Sequence, residues 1–480
     1  MSDITLINLT IAKHFSGKVV YKHNSVGVFR LIAVLEKAGF KVNFSEYCLD
    51  HRNSFSEEIK CFISIIDPAS PLIGIGCHSV HLPFAVMAAK ELKKRFPDKK
   101  IIMGGIGPSM VAKKLLERFD FINAVVIGEA EETIVEVVKN SIKSFKGIKG
   151  VLYRDNGTVG VNAPRLPIED LDAIPLPAYH AVNFKEQYQI PIVFTSRGCP
   201  FGCSFCGLSA FWGRKVRYRS FDNIIEELRL LTHNYGMKYY FFGDPTFTLN
   251  KDRALEFCQR LQKENLGIRF DCMARIDCID EELMEEMAKS GCEAPFYGLE
   301  SGSDDVLKRV KQGVTVKQAL EVIKKSIRHF KTVEVGLMWG FPFETLDDFK
   351  QTINAREYLE DELGCGVQLR WLEPYPCTAL YNEFKNELFL PYDQSAIFRF
   401  DMVHEAVAKG KKFYEPEKYT SQVNIPPDVT SVRFMIAASH IASLCRETIE
   451  QNQDIFCDYY RYKTPALKEK LESAQRYSIY

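Results

Sequence analysis

The chain has no surplus of either charge: 62 Lys and Arg stand against 62 Asp and Glu in 480 residues. This balance argues against nucleic acid as a partner, a local patch aside, because there is no overall basic field to draw it. The sequence also lacks an uninterrupted apolar run long enough to span a bilayer. Its start, Met1-Ser-Asp-Ile-Thr, has no basic segment followed by a long apolar one. The expectation is a cytoplasmic protein with no membrane partner. In that compartment fourteen cysteines point to metal ligands or buried thiols and not to a disulfide framework. The 46% hydrophobic and 26% charged content is ordinary for a globular protein. Two or three domains are expected, since single cores rarely grow beyond about 250–300 residues.

Against this plain background one stretch stands out. Cys199, Cys203 and Cys206 form a C-x3-C-x2-C loop after an apolar run at 190–194 and a Ser-Arg-Gly turn. Three thiolates on one glycine-containing loop can take three corners of a cubane iron–sulfur cluster, leaving the fourth iron open. A zinc knuckle or three unrelated buried thiols are the alternatives. Zinc sites usually add a second C-x2-C pair or histidines downstream, and no second pair follows here.

Over residues 1–150 short apolar runs alternate with amphipathic segments in five strand-then-helix units, which predicts a doubly wound parallel sheet of the flavodoxin or Rossmann kind. Such sheets bind ligands beyond the carboxyl ends of their strands. The loops there are Cys77-His78-Ser79-Val80-His81, Gly104-Gly105-Ile106-Gly107-Pro108, and Gly128-Glu129 leading into Glu131-Glu132-Thr133. Residues 151–189, rich in turn and proline signals, predict a linker made of a small hairpin and an extended crossover. Six further strand-helix units over 190–385 suit a partial barrel with its chemistry at the carboxyl ends of the strands. Residues 386–480 lose this rhythm and predict a small, mainly helical cap, with helices at 398–412, 432–451 and 465–477.

In order along the chain, these motifs resemble those of the cobalamin-dependent, B12-binding branch of the radical SAM superfamily, named for S-adenosylmethionine (SAM). Cys199, Cys203 and Cys206 match its cluster motif, and Phe205 sits where the family places an aromatic near the adenine. Gly243-Asp244-Pro245 takes the place of "GGE", which binds the methionine amino end, and Arg275 resembles the arginine used near the SAM carboxylate. Glu300-Ser301-Gly302-Ser303 matches "GxESGS", with Glu300 or Ser301 as the polar contact to SAM. Gly340-Phe341-Pro342-Phe343 and Pro374-Tyr375-Pro376-Cys377 resemble "GxPGET" and "PxPGT", but with Phe343 and Cys377 where the family has glycine. The first domain resembles the cobalamin-binding one through Gly104, Gly105, Gly128 and Glu129, but lacks the Asp-x-His-x-x-Gly signature. The resemblance then implies that the loop Cys77-His78-Ser79-Val80-His81 meets the cofactor and that His78 or His81 approaches cobalt, with a solvated loop histidine of no metal role as the alternative. Arg217 and Arg219, in a basic and aromatic stretch at 212–219, are candidates to neutralise cofactor groups or simply a solvated hairpin.

The resemblance implies a 4Fe–4S cluster that cleaves SAM to a 5′-deoxyadenosyl radical, with cobalamin as a further cofactor. It implies a C-methyltransferase acting on an unactivated carbon of a small molecule or peptide, supplied with electrons by an external donor such as flavodoxin or ferredoxin. A non-methylating cobalamin enzyme of rearrangement, ring contraction or cyclisation is the alternative. A methylthiotransferase is a further one, for which Cys48, Cys61 and Cys77 would have to hold a second cluster.

Overall fold

The computed structural model describes residues 2–389 apart from 12, 16–17, 22–25, 50–54, 141–142, 182–189, 312 and 373–374, together with 461–462. The expected cap helices lie outside the described residues. The chain divides into two compact units, the first built on Met1–Gln189 and the second beginning at Ile190. No helix among the described residues is long and apolar enough to cross a membrane.

In the first unit the strands are β1 (Ile4–Ile11), the short pair β2 (Lys13–Phe15) and β3 (Lys18–Tyr21), β4 (Val42–Leu49), β5 (Leu72–Gly76), β6 (Lys100–Gly104), β7 (Ala124–Val126), β8 (Val151–Asp155) and β9 (Thr158–Val161). The helices between them are α1 (Val26–Lys37), α2 (Phe55–Ser64), α3 (Leu82–Arg95), α4 (Ile106–Arg118) and α5 (Glu131–Asn140). The sheet order is β4-β1-β5-β6-β7-β8-β9, with β4 to β7 parallel and the β8–β9 hairpin antiparallel. This is the expected doubly wound fold. Its direction of winding reverses between β1 and β5, so the loop at 77–81 stands at the switch point, where such folds open their crevice. The hairpin expected in the linker extends this same sheet. Ile4, Leu6, Leu72, Ile102 and Val126 of the strands pack on Phe29, Ile32, Ile134 and Val137 of α1 and α5 to make the core.

The second unit carries a sheet of six strands in chain order: β10 (Ile192–Val193), β13 (Tyr239–Phe242), β14 (Arg269–Ala274), β15 (Cys292–Glu300), β16 (Glu334–Trp339) and β17 (Gly366–Trp371), all parallel. The pair β11 (Ser196–Arg197) and β12 (Arg217–Tyr218) flanks the cysteine loop, and β18 (Leu388–Phe389) pairs with β19 (Arg461–Tyr462). The helices are α6 (Leu208–Trp212), α7 (Phe221–Tyr235), α8 (Lys251–Glu264), α9 (Glu281–Lys289), α10 (Asp304–Val310), α11 (Val316–Ser326), α12 (Leu346–Glu357) and α13 (Ala379–Phe384). This is the partial barrel expected. The N-cap of α7 is Ser220, whose Oγ accepts from Asn223 N. Gly236 ends that helix at φ 70°.

Candidate cluster and cofactor site

The cysteine loop begins where β10 ends, and its entry is fixed by the neighbouring strand. Asp244, fully buried after β13, accepts from Thr195 N at 3.1 Å, from Thr195 Oγ1 at 3.1 Å and from Ser196 Oγ. Burial raises its pKa, and these donors offset only part of the rise. Further along, Ser204 N donates to Val310 O at 3.0 Å, and Leu380 N donates to Ser204 O at 2.9 Å. The loop is thus stitched by backbone bonds to α10 and α13. Cys206 N turns back on Cys203 O at 3.1 Å, and all three thiols are free and half-buried. Burial pushes the Cys206 thiol up to about 11. Cys203 is also raised by burial, while the Lys311 ammonium and the Arg275 guanidinium oppose the rise. The raised Cys203 and Cys206 thiols carry protons when bare, and metal must displace those protons to bind.

Among the described residues no three His, Cys, Asp or Glu side chains converge as one metal ion requires. A zinc knuckle needs that convergence, whereas a cubane spreads three thiolates over three irons. Cys48, Cys61 and Cys77, the set a second cluster would need, lie on β4, on α2 and after β5, and are half-buried, exposed and buried respectively.

The expected SAM residues do gather at successive strand ends, but their side chains divide. Glu300 adopts φ 74°, left-handed and rare for a non-glycine residue, at an irregularity in the pairing of β15 with β16. It pairs with the buried Lys311 at 3.2 Å. Ser301 turns inward: it is fully buried, with its Oγ 3.0 Å from Thr352 Oγ1. Arg275 is 6% exposed and faces Cys203. Gly340 sits at φ 88° with open space where a Cβ would be, and its N–H donates to the buried Glu344 at 2.6 Å.

Phe343, standing in for a family glycine, has no left-handed φ and so no need of one. Its ring stacks on Phe341 at 5.8 Å, and Phe341 meets Phe205 edge-on at 6.2 Å. Cys377 does hold the left-handed conformation, at φ 69°. Arg219 is engaged within the protein. It is 2% exposed, ion-paired at 2.5 Å with the fully buried Glu227, and it donates to Phe194 O at 2.8 Å and Asn223 Oδ1 at 2.7 Å. Arg217 is likewise buried. The lone charge pattern suggested a solvated hairpin because it cannot show a counter-charge on the next helix. Sequence reasoning also missed Lys311 and Asp277. The Arg275-Ile-Asp277 spacing was the available signal for the latter.

In the first unit two loops meet backbone to backbone. A Cβ on Gly105 would lie 2.8 Å from Cys77 O, and one on Gly107 would lie 2.8 Å from Ser79 N. Gly107 N donates to Cys77 O at 3.3 Å. Ser79 Oγ is buried with no hydrogen-bond partner, which leaves a polar atom for a ligand to satisfy. His78 is exposed, whereas His81 is 7% exposed and burial lowers its pKa to about 3, so it is neutral. Gly128 at φ 70° has open space around it and donates to Ser109 Oγ at 3.2 Å. Glu129 is engaged by Ile168 N at 3.1 Å, and Gly104 closes β6. The buried Ser79 hydroxyl without a partner, on the loop at the switch point of the sheet, fits a polar contact to a ligand such as cobalamin.

The B12 binding domain family matches residues 13–138, and the Radical SAM superfamily matches residues 193–355. An uncharacterized methyltransferase of Pyrococcus horikoshii is 32% identical over 335 residues, covering 68% of this chain and 72% of that protein. The chain belongs to the cobalamin-dependent radical SAM enzymes. As a member of that family this radical SAM enzyme uses a 4Fe–4S cluster, SAM and cobalamin. An anaerobic magnesium-protoporphyrin IX monomethyl ester cyclase of Rubrivivax gelatinosus is 26% identical over 332 residues, 65% of this chain and 59% of that one. The radical SAM methyltransferase TsrM of Kitasatospora setae, solved with cobalamin and a 4Fe–4S cluster, shares the fold. Its TM-score is 0.65 at 17% identity, over 82% of this chain and 78% of that chain.

Proposed function

We propose that this radical SAM enzyme is a C-methyltransferase that adds a methyl group to an unactivated carbon of a small molecule or peptide. The observation that carries the reading is the 32% identity to a protein named a methyltransferase, over most of both chains. When bound, SAM at the reduced cluster supplies a hydrogen-abstracting radical, and cobalamin supplies the methyl group. Cys199, Cys203 and Cys206 hold three irons. Phe205, propped by Phe341, offers its ring to the adenine. Because the Asp244 carboxylate is occupied by Thr195 and Ser196, the backbone of Gly243 and Asp244 is the part that meets the SAM amino group. Glu300 and Gly340 complete that wall. Ser79, Gly105, Gly107 and Gly128 would hold cobalamin, and the exposed His78 would be the side chain offered to it. Electrons come one at a time from an external flavodoxin or ferredoxin.

The resemblance to the ester cyclase favours a second reading, cyclisation without methyl transfer. Anaerobically reconstituted protein, given SAM, reductant and a small-molecule and peptide extract, separates the two. S-adenosylhomocysteine and 5′-deoxyadenosine in about equal amounts are expected of the methyltransferase. Sustained 5′-deoxyadenosine release without S-adenosylhomocysteine sinks the proposal in favour of the cyclase.

A further inference from the structure

Arg275 leaves the carboxyl end of β14 and is held in three ways. Asp277 grips it as a fork, with Nε donating to Oδ1 at 2.8 Å and Nη2 to Oδ2 at 2.7 Å. The guanidinium carbon lies 3.6 Å from the centre of the Phe201 ring, two residues before Cys203. The backbone N–H of Arg275 donates to Thr248 Oγ1 at 3.3 Å. With one edge gripped and one face stacked, the planar cation presents Nη1 to Cys203 Sγ at 3.7 Å. Hydrogen bonds to the sulfurs and nearby charge set the reduction potential of an iron–sulfur cluster, since reduction adds one negative charge.

We infer that Arg275 tunes the cluster by donating to the Cys203 sulfur, which raises the reduction potential, and that the Asp277 carboxylate beside it partly offsets that rise with its negative charge. This rests on cluster binding, not on methyl transfer. In the step concerned the cluster takes one electron from an external one-electron donor and passes from the 2+ to the 1+ state, with its thiolate bonds kept. Removing the Arg275 donor and charge disfavours the reduced state, and removing the Asp277 charge favours it.

The test is a dithionite titration of the reconstituted full chain without SAM, with redox mediators, followed by the electron paramagnetic resonance of the reduced cluster. Iron and sulfide content are measured alongside. Arg275→Gln is expected to lower the ratio of reduced to oxidised cluster at a fixed potential about tenfold, a midpoint about 59 mV more negative. Asp277→Asn moves it the opposite way, by about threefold. Arg275→Lys, which keeps the charge and loses the fork, falls between wild type and Arg275→Gln. An unchanged midpoint in Arg275→Gln with a full cluster overturns the inference, as does weaker SAM binding in that variant with an unchanged potential. Should Arg275→Gln hold no cluster, unchanged midpoints in Asp277→Asn and Arg275→Lys overturn it. Failure of methyl transfer leaves these potentials untouched, so the two proposals fail separately.

Discussion

The two units hold their ligand loops by different physical means. In the first, glycines let backbone lie on backbone. In the second, the cysteine loop is framed by side chains of both signs: Asp244 at its entry, Arg275 with Asp277, and Lys311 with Glu300. A corrin is broad and needs a wide surface that side chains would obstruct. A cluster with three thiolates is compact and negative, so it needs charge compensation at short range. Shape decides one site and electrostatics the other.

Substitutions can break each side of this contrast. The largest effect is expected from Cys206→Ala, which should take iron content from about four per chain to near background and abolish 5′-deoxyadenosine formation. Next is Arg219→Ala. It leaves the fully buried Glu227 without its 2.5 Å partner, and urea denaturation should show a loss of about 3–5 kcal/mol. In the first unit Gly107→Ala drives a Cβ against the Cys77–Ser79 loop, costing about 1–3 kcal/mol. Titration followed by corrin absorbance should show cobalamin binding weakened about tenfold or more, with iron content unchanged. The smallest effect is one of pH. His81 falls from 6.5 unfolded to about 3 folded. Its contribution is therefore complete above pH 6.5 and is lost as pH falls from there towards 3. Denaturation near pH 5.5 should show a loss of about 1.4 kcal/mol, which His81→Phe removes.

The alternation of strands and helices was legible because most of the apolar runs end in a glycine-bearing loop, and the strand ends carry Gly243, Arg275, Glu300 and Gly340. Four helices leave no clear mark in the sequence pattern, α2, α6, α10 and α13. The ten residues of α2 follow a polar stretch, and the seven of α10 follow the "GxESGS" turn and are too short to show a period. Side-chain direction was the other limit. Asp244 and Ser301 stand at the expected positions yet point into the protein, since a motif fixes the backbone position and the neighbours decide what the side chain bonds. Phe343 and Cys377 differ for a related reason: only Cys377 occupies the left-handed conformation that glycine serves elsewhere.

The six strands of the second unit run β10 to β17 without β10 hydrogen bonding to β17. A closed eight-stranded barrel admits a molecule only through its mouth, whereas an arc also has a seam along its side. Among the described residues the arc ends at β10 and β17, so the outer edges of these two strands, and not a continuous wall, bound the sheet.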